Sequence, residues 1–352
     1  MTLPADDASR APSPARRSRR GSGAVTLHDV ARLAGVAPIT ASRALNTPQQ
    51  VSDDVRQRVA QAVAATGYVP NRLAGGLASA RSRLVAAVVP TLSGPVFLPT
   101  VEALTQALAR EGYQLMLGQT GYDNPGAEEA LLEAILGRRP DGIVLTGVLH
   151  SEASRQRLQA AGRPVVETWD LTDTPVDLLV GFSHTEVGRA VADFLQGLGH
   201  RHLAVVAGLD ARARRRTAAF AAQAQALGLP PVQCSEVPAP TTLHAGRQAL
   251  RQLLAGPGPR PQAVFCSSDL LALGVLTEAR VQGLQVPADL AVVGFGDLAL
   301  AADTAPALTS VRIDAVAIGE QAARWIVDRA EGRPVAQPVV DIGFEIVRRE
   351  SA

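Results

Sequence analysis

The fold class that the sequence predicts is a small all-α N-terminal module followed by an α/β body built of two doubly wound parallel-sheet lobes. Three observations carry it. Residues 25–46 read as a helix, a tight turn containing glycine, and a second short helix. From Leu84 onward, near-continuous apolar runs of strand length alternate with amphipathic helical stretches, the pattern of a parallel sheet covered on both faces. These runs outnumber the strands one such sheet usually carries, so two lobes fit better than one, with a ligand cleft between them. The length of 352 residues accommodates that plan, and 47% hydrophobic residues with 3% aromatics imply cores filled by aliphatic side chains.

The module opens with VTLHDVARLAGVAPITASRALN, Val25 to Asn46. Thr26 precedes an apolar-periodic run and Asp29 follows at capping distance, which suits a side-chain N-cap and a carboxylate in the positive first turn. Val30, Leu33 and Ala34 recur at helical spacing as the expected inward stripe, and Gly35 follows where a helix end favours left-handed backbone. Pro38 then opens a second helix, expected to end near Leu45. Ile39, Thr40, Ser42 and Arg43 are the candidates to face outward, a set able to meet base methyls, base edges and phosphates. Taken alone, this stretch also fits an ordinary helical hairpin.

The following residues narrow that choice. SDDVRQRVAQAVAATGY, from Ser52, reads as a third helix with acids in its first turn and Gly67 at its end, followed by YVPNRLAGGLASARSR. The segments VTLHDVARLAGV, TASRALN, VSDDVRQRV and GYVPNRLA, in that order and spacing, resemble the DNA-binding headpiece of the lactose-repressor (LacI/GalR) family. The resemblance implies a helix-turn-helix domain over 25–69. Its DNA contacts would come from Thr26, Pro38, Ile39, Thr40, Ser42, Arg43, Asn46, Tyr68, Asn71 and Arg72.

Charge is unevenly spread. All 34 basic residues are arginine, and the net charge of +1 divides into ten Arg against five Asp in residues 1–80, +5, leaving −4 for 81–352. A basic N-terminal fifth on a mildly acidic body suits a nucleic-acid module joined to a sensor. Residues 1–24, rich in Ala, Pro, Ser and Arg, lack the apolar content to fold. Arg16, Arg17, Arg19 and Arg20 either add non-specific phosphate attraction or belong to a solvated tail, or to a start codon placed too early. Cys234 and Cys266 make no metal spacing and read as small buried residues in a reducing cytoplasm. No signal-peptide core or membrane-length apolar run is present, so export and anchoring are not expected.

Residues 70–83 read as a hinge. Gly75 and Gly76 each cost roughly 1 kcal/mol of helix propensity, so the segment should be uncoiled when alone. The family resemblance implies that it becomes helical only on operator DNA, with Leu77 as the leucine wedged into the minor groove. Read from the residues alone, it is a glycine-containing linker whose Leu77 packs on the body.

In the body, LVAAVVP, YQLMLGQ, DGIVLTG, VVETW, a run near LLVGF, HLAVVAG, AVFCS and LAVVGF are the expected strands. Helices are expected over LPTVEALTQALAREG and PGAEEALLEAILG, and from Glu186 to Leu198, Arg214 to Leu227 and Asp269 to Gln282. The resemblance extends here to the family's periplasmic-binding-protein-like core, over 84–352. The chain should cross between lobes near 180–185, near 308–314 and near the C-terminus.

No enzyme constellation assembles: there is no Lys for a P-loop and no G-x-S-x-G, and the pair His200 and His202 reads as a turn before a strand, not a zinc site. No metal or cofactor is expected. Ligands in open α/β sheets sit beyond the carboxyl ends of strands, which singles out Ser93, Phe97, His150, Asp170, Ser268, Asp269 and Asp297 as cleft residues. After VVAG a loop of arginines is expected to end at Arg216. By the family resemblance Arg216, ahead of Ala219 and Phe220, grips the effector; otherwise it decorates a helix start like Arg212, Arg214 and Arg215. Where the family often has Asn-Asp and Asp-Asp, this chain has Ser268-Asp269 and Gly296-Asp297, and losing an acid in the cleft removes repulsion against an anion. With LTGVLHS, PVVETWDLTDTPVDLLVGFS and GFGDLAL, the chain is most similar to the gluconate-operon repressor branch of the family.

The expected protein is therefore a cytoplasmic, sequence-specific transcriptional repressor controlled by a sugar-acid effector. The chain ends soon after IVRRE without leucine heptads, so a homodimer on a pseudopalindromic operator is expected. The rivals are a repressor sensing a neutral sugar or nucleoside, and a solute-binding receptor, which would share the body but need a signal peptide.

Overall fold

A computed structural model describes residues 25–69, 81–122, 124–148 and 150–352. They fall into two compact units, one holding 25–69 and the other 81–352.

In the first unit, α1 (Leu27–Leu33) is followed by α2 (Pro38–Asn46), a 3-10 turn (Pro48–Gln50) and α3 (Asp53–Thr66). Thr26 and Asp29 form a reciprocal capping box, each side chain satisfying the other's backbone N–H. Gly35, at φ +65°, turns the chain out of α1. Arg58 of α3 donates at 3.0 Å to the Ala34 carbonyl left open at the end of α1. The core is built from small residues, Val30, Ala31, Ala34, Ala41, Ala44, Val59 and Ala62, which lets the three helices approach closely. Leu33 is a correction: it is 59% exposed, and Ala31 takes the place expected for it. At about 100° per residue, Leu33 lies on the flank of the stripe through Val30, Ala31 and Ala34.

The strands of the second unit are β1 (Leu84–Val89), β2 (Gln114–Gln119), β3 (Gly142–Thr146), β4 (Val165–Thr168), β5 (Leu178–Gly181), β6 (Leu203–Gly208), β7 (Gln233–Val237), β8 (Ala263–Cys266), β9 (Ala291–Phe295), β10 (Thr309–Arg312), β11 (Val339–Asp341) and β12 (Glu345–Val347). They make two six-stranded sheets, β11-β5-β4-β3-β1-β2 and β12-β10-β9-β8-β6-β7. Every pairing is parallel except β10 with β12. The helices are α4 (Leu98–Arg110), α5 (Pro125–Leu136), α6 (Glu152–Ala161), α7 (His184–Gly197), α8 (Ala211–Ala226), α9 (Leu243–Ala255), α10 (Asp269–Val281) and α11 (Ala315–Ala330).

The chain passes between the sheets three times, at 182–183, at 313–314 and at 342–344. After the second passage α11 packs on the first sheet: Gly142 of β3 leaves no room for a Cβ beneath Ile326, and Gly319 of α11 touches the Thr100 carbonyl of α4. The first residues of the body are tied in by the buried Asp141, which accepts from the Ser82 and Arg83 amides at 3.0 and 2.8 Å.

Two sequence expectations are revised here. Helix α8 starts at Ala211 rather than Arg214, because the Asp210 side chain accepts from the Arg212 and Ala213 amides and so caps the helix. The arginines therefore stand on a helix, not a loop. Cys234 is exposed on β7, a sheet edge; Cys266 is buried in β8. No helix among the described residues is long and apolar enough to cross a membrane.

Candidate functional site

In the first unit, α2 buries Ala41 and Ala44 and turns the opposite face outward. Ile39 is 60% exposed. Arg43 and Asn46 are exposed beside it, with Thr40 and Ser42 half-buried, and Asn46 donates to Ser42 Oγ at 3.3 Å. Arg32, Arg56 and Arg58 pair with Asp29, Asp53 and Asp54. Arg43, among the described residues, makes no ion pair. It is thus the cation on this face available to a phosphate or a guanine edge.

In the second unit, the residues beyond the carboxyl ends of the two sheets enclose two adjoining compartments of about 180 and 70 Å³, which share Tyr122, Asp210 and Arg212 as common wall. The smaller one is built around Arg216, buried to 4% exposure. Its Nη1 lies 2.9 Å from His184 Nδ1, its Nη2 donates to the Ser267 carbonyl at 3.1 Å, and its guanidinium stacks 3.9 Å over the Phe295 ring. Burial pulls its pKa down to about 10, so it stays charged at neutral pH. Burial, reinforced by the neighbouring Arg216 charge, holds His184 well below the usual imidazole range. The neutral ring then donates from Nε2 to the Trp169 carbonyl, 3.0 Å away, and accepts from Arg216 at Nδ1. Arg216 Nε is buried with no partner among the described residues.

Trp169 closes the floor. It is held at φ +66°, a region costly for a bulky side chain, by its Nε1–H bond to Thr100 Oγ1 at 3.0 Å and by edge contacts with Phe97 and Phe182. That backbone turn aims the next residue, Asp170, at the larger compartment. Asp170 Oδ1 accepts from Arg215 at 2.8 Å and from the Leu171 amide at 2.9 Å, while Oδ2 is buried without a partner. Burial raises its pKa, against the pull of Arg215.

Arg212 and Arg216 are four residues apart on α8 and so share a face. Arg212 lies 5.1 Å over the Phe97 ring and lines both compartments; among the described residues it makes no hydrogen bond from its guanidinium and no ion pair.

Residues 26–71 match the family model described as bacterial regulatory proteins, lacI family, and 192–352 match that of a periplasmic binding protein-like domain. The HTH-type transcriptional regulator GntR of Pseudomonas aeruginosa is 38% identical over 95% of this chain and 98% of its own. The chain belongs to the lacI family of bacterial regulatory proteins. The crystal structure of a LacI-family transcriptional regulator from Silicibacter pomeroyi superposes with a TM-score of 0.87, at 33% identity over 93% of this chain and 99% of that one. The lac repressor dimer bound to operator and the anti-inducer ONPF superposes at 0.81, with 26% identity over 93% and 99% of the two chains.

Against that lacI-family frame, the sequence-predicted residues divide. Phe97, Arg216, Ser268 and Asp269 line the smaller compartment, and His150 and Asp170 the larger. Their chemistry differs from expectation at three of them. Arg216 commits both terminal nitrogens to His184 and the Ser267 carbonyl, with its buried Nε left unpartnered, whereas Arg212 makes no hydrogen bond from its guanidinium among the described residues. Asp269 has both oxygens occupied, by Ser310 Oγ at 2.6 Å and the Leu298 amide at 2.7 Å, and burial raises its pKa to about 6. Ser268 caps α10 and meets Thr241 Oγ1 at 2.8 Å.

Two residues are placed elsewhere. Asp297 lines neither compartment; at φ +47° it pairs with Arg312 and Arg349, each at 2.7 Å, and ties β9 to β10 and the C-terminal residues. Ser93 is exposed on the loop after β1 and lines neither compartment. Gly296 is at φ +123°, where a Cβ would come 3.2 Å from Val96 of the other lobe. In the first unit, the Thr26 hydroxyl is spent on Asp29, 2.7 Å away, and Tyr68 packs half-buried on the core. Asn71, Arg72 and Leu77 lie outside the described residues.

Sequence reasoning missed Arg212, Tyr122, Asp210 and Glu128 as cleft residues. The usable signal was Asp210: read as an N-cap, it starts α8 early enough to put Arg212 one turn before Arg216.

Proposed function

We propose that this lacI-family regulator is a sequence-specific repressor, homodimeric on a pseudopalindromic operator, whose cleft binds a sugar acid such as gluconate. Residues 25–69 are assigned as the DNA-binding domain, 70–83 as the hinge, and 84–352 as the effector-binding and dimerisation domain, in a protein working in the cytoplasm. The observation that carries the effector reading is the lining of one cavity by a cation and acids: the Arg212 guanidinium, without a hydrogen-bond or ion-pair partner among the described residues, and the carboxyl groups of Glu128 and Asp170. A carboxylate satisfies the guanidinium through charge-assisted hydrogen bonds, and hydroxyls satisfy the acids. A neutral sugar or nucleoside can accept from the guanidinium through its oxygens but leaves the charge uncompensated. Similarity to GntR of Pseudomonas aeruginosa supports the same reading.

Binding lowers operator affinity only if the ligand prefers one arrangement of the lobes, since a ligand shifts an equilibrium by its differential affinity. On the DNA side, Ile39, Ser42 and Arg43 are assigned to base and phosphate contacts from the exposed face of α2. Isothermal calorimetry with gluconate, glucitol and cytidine, followed by gel shift on DNA upstream of the gene, tests the proposal. Gluconate is expected to bind, glucitol and cytidine to bind more weakly by tenfold or more, and gluconate to release the DNA. Binding of glucitol or cytidine in preference to gluconate would assign the cleft to a neutral ligand. Arg43→Ala should lose operator discrimination worth about 1–3 kcal/mol without changing the melting of the body; equal binding of operator and random DNA to parent and variant refutes the assignment of α2.

A further inference from the structure

The larger compartment is electrically lopsided. Arg212 stands in its lining beside Asp210, whose Oδ1 is occupied by the first amides of α8, whereas Glu128 of α5, backed by His150 and by Glu167 of β4, adds acids with no arginine of their own. His150 Nδ1 lies 3.1 Å from both oxygens of Glu128, and its Nε2 lies 3.4 Å from Glu167 Oε1. Nδ1 is bonded to Glu128, while Nε2 faces Glu167 Oε1 without a hydrogen bond to it, and a carboxylate on either side favours the protonated ring. Two acidic side chains flank one imidazole, so acids outnumber bases on the Glu128 wall. Glu167 is fully buried and its second oxygen accepts from the Val176 amide at 2.6 Å, so Glu128 is the member of the trio that presents the charge to the cavity, together with His150. Asp170, 2% exposed, is a further acid in the lining of the same compartment, and one of its carboxylate oxygens is buried without a partner. That half of the cavity offers acceptors and no spare cation, because Arg215 is already spent on Asp170.

We propose that the cleft is selective for a singly charged acid with an uncharged, hydroxyl-bearing tail. The carboxylate lies against Arg212, the hydroxyls run toward Glu128 and Asp170, and this wall rejects relatives carrying a terminal phosphate or a second carboxylate. The inference rests on the sugar-acid reading above and adds orientation and the identity of the discriminating residue. Hydroxyls donate to carboxylate oxygens at no electrostatic cost. A terminal phosphate, close to doubly ionised at neutral pH, has no donor there and meets like charge in a partly enclosed space where water screens poorly.

Calorimetry on the full chain with gluconate, 6-phosphogluconate and glucarate tests it. These probes share the carboxylate end and differ at the far end as hydroxyl, phosphate and carboxylate. Gluconate should bind at least about tenfold more tightly than either of the more highly charged probes. Glu128→Gln should narrow that ratio by about tenfold, mainly by tightening 6-phosphogluconate, because the amide keeps the shape, removes the charge and supplies a donor. A parent that binds 6-phosphogluconate or glucarate as tightly as gluconate overturns the inference and leaves the sugar-acid reading standing. So does an unchanged ratio in a folded Glu128→Gln protein. If that variant does not fold, the parent's own ratio decides. Failure of all three acids to bind overturns the sugar-acid reading itself, and this inference with it.

Discussion

The buried imidazolium makes a pH prediction that is independent of the ligand. His150 keeps a side chain only 4% exposed between Glu128 and Glu167. Burial by itself lowers its pKa, but the hydrogen bonds and charges of the two glutamates outweigh it and raise the value from 6.5 to about 9. A folded-state pKa above the unfolded one means that protonation favours the folded protein. The contribution is complete below about pH 6.5 and is lost as pH rises through 9. Two and a half units at about 1.4 kcal/mol each amount to roughly 3 kcal/mol. For a body of this size that is a melting shift on the order of 5 °C. The perturbation is His150→Gln, which fills much of the space but does not titrate. Scanning calorimetry of parent and variant from pH 6 to 10 reads the difference in melting temperature, in which every shared titrating group cancels. That difference should be largest near pH 6 and shrink by about 5 °C toward pH 10. A constant gap across the range would show that His150 is neutral in the fold, and the charge assigned to the Glu128 wall would then be wrong as well.

The two arginines of α8 should separate by role. Arg216→Ala leaves His184 Nδ1 and the Ser267 carbonyl without their donor and opens a void beside Phe295. It should cost about 2–4 kcal/mol of body stability, and ligand affinity with it. Arg212→Ala removes only the contact with the Phe97 ring and no hydrogen-bond or ion-pair partner among the described residues, so it should melt within roughly 1 kcal/mol of the parent while losing tenfold or more in gluconate affinity. Equal melting losses in calorimetry would refute that division. In the first unit, Thr26→Ala dissolves the capping box with Asp29. Amide exchange in the first turn of α1 should accelerate about fivefold, equivalent to roughly 1 kcal/mol, and unchanged exchange would show that the cap contributes nothing.

Much of this protein is determined by local chemistry, and that part is readable from one-dimensional pattern. Thr26 with Asp29, Gly35 and Pro38 place α1, its turn and α2, because caps and left-handed turns depend on residues within one turn of each other. The buried runs Val85–Val89, Leu203–Gly208 and Ala291–Phe295 announce central parallel strands, because only a strand covered on both faces is apolar throughout. The strands β7, β10, β11 and β12 are not singled out by that pattern, since they are brief or only partly apolar and their places are set by neighbours distant in the chain. The same limit governs the cleft. Its position beyond the strand ends follows from topology, but which arginine is free there is set by who else arrives. His184 and the Ser267 carbonyl consume Arg216 from elements 32 and 51 residues away, Asp170 takes Arg215 from 45 residues away, and Arg212 meets no such claimant among the described residues. Asp297, expected from the sequence to line the cleft, is drawn instead to Arg312 and Arg349. Opposite charges pair wherever the fold brings them within reach, so the partners of a charged side chain belong to the tertiary structure, and only its availability to the backbone around it belongs to the sequence.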